Sequence, residues 1–220
     1  MEHINTFYNL LGVLLVLVLT GITLPSIAVA QQYMVDWGEP VKEGDYLLYT
    51  RFSEGSEIKE VKLTGTIHAN LKAVTHVLET VPEYMEWVYN CQESRLVSMD
   101  GQEAFTYYIR IDFPFPLSDR DVVLAAHHGY YMDGSWHGST HVVHPASVPV
   151  YDGVVRVKMY HVTWDLTPVD NDEVAFVYTV VMDPGGYIPQ WITNLFLSEA
   201  PVRTIKDLEK HSQKVQKRGQ

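Results

Sequence analysis

The chain is poor in cysteine and in positive charge, and it contains neither an internal repeat nor a low-complexity linker. Of 220 residues only Cys91 is a cysteine. A single thiol cannot close an intramolecular disulfide, so the fold must stand on burial alone. Cys91 itself reads as a packing thiol rather than a nucleophile. Lys and Arg number 16 against 27 Asp and Glu, a formal net charge of −11. A surface this acidic repels phosphate backbones, which excludes nucleic acid as the partner and opposes general adsorption to anionic membranes. Also missing are a nucleophile elbow, a phosphate loop and an HExxH motif. Aromatic residues, by contrast, are plentiful, with 14 Tyr and 5 Trp. That wealth suits a domain lining an apolar space with amphipathic rings, and equally a large aromatic core.

The first thirty residues differ from the rest. Residues 10–24 form an apolar run without charge, followed by Pro25 and then Ala28-Val29-Ala30. The run is about 15 residues, short of the roughly 20 that a spanning helix needs. Small residues at 28 and 30 fit a signal-peptidase site with cleavage before Gln31. Residues 1–9 carry no Lys or Arg, so the free amino terminus must supply the positive charge. The expectation is a signal peptide over 1–30 and export to the periplasm or outside the cell. If uncleaved, the same segment would anchor the protein in the membrane. The remaining part of the chain forms one domain of about 190 residues, enough for a sizeable core.

Strand signals dominate the mature part. Residues 46–52 are rich in aromatic and β-favouring types, and over 60–68 Val61, Leu63 and Ile67 alternate with Lys62, Thr64 and Thr66. That period of two marks a sheet with one wet face. Asn70 then offers an N-cap, with Leu71, Val74, Val77 and Leu78 at helical spacing, and Pro82 opens a second short helical segment. Over 103–113 the odd positions Phe105, Tyr107, Ile109, Ile111 and Phe113 are apolar. Residues 122–131, 138–144, 154–164 and 174–182 read as further strands, separated by Gly, Pro, Asn and Asp turns. After Asp183-Pro184-Gly185-Gly186 the period becomes helical through Ile188, Ile192, Leu195, Val202, Ile205 and Leu208. Pro201 inside that stripe should kink or break the helix. Short turns between many strands imply an antiparallel meander. The fold class is therefore α+β, with a final helix placed to fill or roof the concave side of the sheet.

Several strings, in order along the chain, resemble the START family (the steroidogenic-acute-regulatory-related lipid-transfer domains). They are Trp37 with Val41-Lys42-Glu43-Gly44-Asp45, and residues 67–78 with Glu83-Tyr84-Met85-Glu86-Trp87. Pro114-Phe115-Pro116-Leu117-Ser118-Asp119-Arg120-Asp121-Val122-Val123 and Val154-Val155-Arg156 come next. Asp183-Pro184-Gly185-Gly186-Tyr187-Ile188-Pro189-Gln190-Trp191 is the most specific. The resemblance implies a helix-grip fold: a curved antiparallel sheet around a long C-terminal helix, with two short helices. It places a lipid-binding domain over 31–215, a polar tail over 216–220, and a lid made by loop 112–119 with the C-terminal helix.

It also implies a carrier rather than an enzyme, holding one lipid, without a cofactor or a metal, and touching membranes transiently. Burying a methylene is worth about 0.8 kcal/mol, so a 16-carbon chain gains roughly 12 kcal/mol. The residues expected to line the cavity are Tyr107, Ile109, Leu124, His141, Val143, Tyr160, Phe176, Tyr178, Trp191, Leu195 and Phe196; their alternative role is to close an ordinary core. Sterol-binding members pair an acid with an arginine, which would fall six positions after Arg120. That position is Ala126, so sterol recognition is not expected. Arg110 and Arg156 lie on polar-reading faces. His137 and His141 share strand parity, but no familiar metal-ligand spacing is completed. The alternative class is a cyclase-like enzyme of the helix-grip superfamily acting on a polycyclic substrate, for which His141 with Tyr160 is the available acid–base pair. The lysines of the final helix, Lys206, Lys210, Lys214 and Lys217, with Arg218, form a basic stripe that could meet anionic lipid, or simply a solvated face.

Overall fold

Apolar alternation builds most of one large sheet. The computed structural model describes residues 37–219, Glu54 and Ser56 apart, so the expected signal peptide lies outside the described residues. The strands are β1 (Val41–Glu43), β2 (Tyr46–Phe52), β3 (Lys59–Ile67), β4 (Cys91–Met99), β5 (Ala104–Ile111), β6 (Arg120–Tyr130), β7 (Trp136–Val142), β8 (Val155–Arg156), β9 (Met159–Pro168) and β10 (Val174–Asp183). Their order is β1-β2-β3-β10-β9-β7-β6-β5-β4, antiparallel throughout, with β8 added in parallel to β6. The pairing of β3 with β10 joins the N-terminal strands to the last strand of the sheet.

Between β3 and β4 lie α1 (Leu71–Glu79) and a 3₁₀ segment (Val81–Glu86) with Pro82 in its first turn. Asn70 caps α1, its side-chain oxygen accepting from the Ala73 N–H at 2.8 Å. After β10 come α2 (Gln190–Asn194), a π-helical turn (Leu195–Glu199) and α3 (Ala200–Arg218). Pro201 has no N–H to give the carbonyl of Leu197. The chain meets that loss with a π turn, in which the Ala200 N–H reaches the Leu195 carbonyl. On α3 Pro201, Ile205, Leu208 and Ser212 are buried, and the helix packs against α1 and β3. The architecture is the expected α+β helix grip.

The inner face of the sheet carries Phe105, Tyr107, Leu124, Trp164 and Phe176 in one core with Val74, Val77, Ile205 and Leu208. A smaller cluster of Tyr108, Val123 and Val148 lies on the outer face. Three sequence expectations shift. Residues 154–164 divide into β8 and the start of β9. Strand β4 is an edge strand with few apolar residues, which hid it. Residues 216–218 belong to α3 rather than to a tail: Gln216 accepts from the Asn70 N–H at 2.7 Å and donates to Asp172 at 2.7 Å.

Candidate functional site

The helix does not fill the whole concave face. Beneath α2, the π turn and the start of α3 lies a cavity of about 480 Å³, within the size range of ligand sites. Ile109 and Ile111 of β5, Val122 of β6, Tyr160 of β9, and Tyr178, Val180 and Met182 of β10 form its floor. Phe113, Pro184, Ile188, Phe196, Leu197 and Pro201 form its roof and mouth. A second space of about 90 Å³ lies further along the sheet, bounded by Tyr84, Trp87, Tyr107 and Trp164. Val88, Ile109, Tyr160, Tyr178 and Thr204 border both, so the smaller space adjoins the larger slot along a shared wall.

The lining is apolar with phenolic tips. Burial pushes the Tyr160 phenol up to about 12 and also raises those of Tyr84, Tyr107 and Tyr178. All four are neutral hydrogen-bond donors at ordinary pH. Burial likewise pushes the Cys91 thiol up to about 12, which keeps it an inert thiol.

Near the mouth of the cavity three arginines meet two aspartates. Arg110 holds Asp119, its Nε donating to Oδ2 at 2.8 Å, and Arg156 grips Asp121 in a two-pronged contact at 2.7 and 3.0 Å. Arg120, which is 4% exposed, donates instead to the carbonyls of Ser118, Pro184 and Gly185. Its guanidinium carbon sits 4.3 Å from the ring centroid of Phe113, and that ring stacks on Phe196 at 4.7 Å. Arg120 thus ties loop 112–119 to the entry of the C-terminal helix. Gly185 and Gly186, both at positive φ, give that entry a turn which a side chain would strain.

Ile109, Tyr160, Tyr178 and Phe196 come together in the large cavity, and Tyr107 borders the inner space. The other six residues expected there stand elsewhere. Leu124 and Phe176 face inward but are sealed in solid core. His141 is exposed on the outer face, where its ring stacks on His127. Val143 packs on the outer cluster of Tyr108 and Val123. Trp191 is 56% exposed on α2, and Leu195 is half-buried away from the cavity. Strand parity reads the face, but not how far the helix covers it, and β7 faces its odd residues outward. His141 and Tyr160 therefore lie on opposite sides of the sheet and cannot act as an acid–base pair. His137 is likewise on the outer face, against Tyr131. Among the described residues no three His, Cys, Asp or Glu side chains gather as a metal site. Sequence reasoning missed Arg120, Val180, Met182 and Leu197 as site residues. The inward parity of 180 and 182 was the available signal.

The START domain model matches residues 27–218. This chain belongs to the START family. An uncharacterised protein of Pseudomonas aeruginosa is 30% identical over 183 residues, 81% of this chain and 88% of that protein. The phosphatidylcholine transfer protein of Rattus norvegicus is 27% identical over 191 residues, 83% of this chain and 86% of its own. Among solved START structures, a STAR-related lipid transfer protein fragment from Xanthomonas axonopodis superposes with a TM-score of 0.72 at 28% identity. That match covers 80% of this chain and 98% of the fragment.

Proposed function

We propose that this START domain holds one lipid molecule in the slot and carries it between membranes, with loop 112–119 and the C-terminal helix as the gate. The observation that carries this reading is the apolar slot itself, roofed by segments held together through a few contacts around Arg120 and Phe113. The phosphatidylcholine and STAR-related transfer relatives support lipid as the cargo. In this reading the domain works outside the cytoplasm, delivered by residues 1–30. Membrane contact falls to the gate, where Phe115 is 94%, Tyr187 86% and Trp191 56% exposed. Native mass spectrometry of the purified protein tests the reading. A single lipid, released on denaturation, is the expected result. A clean unliganded mass with no uptake on incubation with lipid would overturn it.

A further inference from the structure

We propose that Arg120 is the headgroup-recognition residue of the slot, and that the cargo is an amphiphile with an anionic oxygen head, a phosphate or a carboxylate, seated at the lid end. The proposal rests on the lipid-carrier reading and goes beyond it by naming the class of head.

Arg120 is a buried cation with no carboxylate in direct contact, Asp119 acting on it only from a distance. It lines the cavity, yet it forms no ion pair with a carboxylate among the described residues. The two neighbouring aspartates are already matched, Asp119 by Arg110 and Asp121 by Arg156. Neither aspartate is therefore in contact with Arg120. Glu57 and Lys59 also border the cavity, but both are exposed at its rim.

Carbonyl acceptors satisfy hydrogen bonds without neutralising charge. A guanidinium has five N–H donors. The three contacts to Ser118, Pro184 and Gly185 engage one each, which leaves two. Phe113 covers one face of the group and keeps water from it. A cation so placed is costly unless an anion joins it, and an oxyanion fits the planar fork of arginine. An attraction of this kind is strengthened where water is excluded. The chain of such an amphiphile would run from Arg120 along the apolar floor toward Tyr160 and Tyr178.

The test uses three amphiphiles with one chain and different heads: hexadecyl phosphate, palmitate and hexadecanol. Each displaces a neutral naphthylamine probe from the full-length protein. The expected result is that both anionic heads bind about tenfold or more tighter than the alcohol, the size of effect a charge-assisted contact gives. In R120Q, where the tie to Ser118, Pro184 and Gly185 is weakened for every ligand, both anionic heads should lose about tenfold more affinity than hexadecanol, and R120K should keep part of the preference. Equal binding of all three heads by the unaltered protein overturns the proposal, whether or not R120Q folds. An equal loss for every head in R120Q also overturns it, since Arg120 would then act only as a tie between loop and helix. Inorganic phosphate should displace nothing, and displacement as effective as that by hexadecyl phosphate would mark a free-phosphate site instead. If no amphiphile binds, the carrier reading falls as well.

Discussion

Gly65 on β3 has no space for a side chain: a Cβ there would sit 2.7 Å from Cδ1 of Tyr46 and 3.2 Å from Cε1 of Phe176. Those two rings meet edge to face in the core, so neither can retreat freely. G65A should cost about 1–3 kcal/mol, seen as a lower urea midpoint with an unchanged slope. The buried tyrosines make a second prediction. An unfolded phenol titrates near 10, whereas Tyr46 and Tyr160 are held up to about 12 in the fold. A raised pKa gives stability that is intact below pH 10 and lost as pH climbs toward 12, because the unfolded chain ionises first. Stability should therefore fall across that window, with tyrosinate absorbance rising in step with unfolding rather than before it. The sequence placed Tyr160 and Phe176 on the inner face, whereas the crowding of Gly65 by Tyr46 depends on strands brought together only in the fold. It did not show Arg120 as a cavity residue. A charge at the start of a strand reads as the end of a loop until Phe113 and the Pro184-Gly185 carbonyls close over it.

At the level of elements, the seam between loop 112–119 and the C-terminal helix is thin, and Phe113 stacked on Phe196 is its apolar part. Such a ring pair is worth about 0.5–1.5 kcal/mol beyond the area it buries, so F113A should raise the population of the open gate about two- to tenfold. Stopped-flow exchange of a fluorescent lipid should speed up by a similar factor. Unchanged exchange would place the gate elsewhere. The far end of α3 is held differently. Gln216 bridges the cap of α1 and Asp172 of the β9–β10 turn, and two such bonds contribute about 1–3 kcal/mol. Truncation before Gln216 should lower the melting temperature, where loss of a free tail would leave it alone. The helices were legible from their periodicity, and Pro201 announced a break. Whether that break would be a kink or a π turn depends on what lies beneath, which no local pattern records. Strand β4 was invisible for a related reason, since an edge strand exposed on much of its length needs no alternation.

For the whole molecule the formal charge of −11 and the proposed membrane contact pull in opposite directions. Long-range repulsion from an anionic bilayer must be overcome locally, by apolar insertion or by a basic face. Lys206, Lys210, Lys214 and Lys217 are exposed along one side of α3, while Phe115, Tyr187 and Trp191 project from the two segments that Arg120 joins. Aromatic side chains suit the bilayer interface, with an apolar body and, in Tyr and Trp, a polar tip. If insertion dominates, replacing Phe115, Tyr187 and Trp191 together by serine should slow transfer between zwitterionic vesicles about tenfold or more, since each ring removes roughly 1–3 kcal/mol of burial. Cargo affinity should stay unchanged, because Phe115, Tyr187 and Trp191 stand outside the cavity. Salt should then have little effect on zwitterionic vesicles and should speed transfer to anionic ones by screening the repulsion. If the lysine face dominates, transfer to anionic vesicles should instead fall as salt rises, and serine at the aromatic positions should matter little. The sign of the salt dependence on anionic vesicles thus decides which surface of this acidic protein meets the membrane.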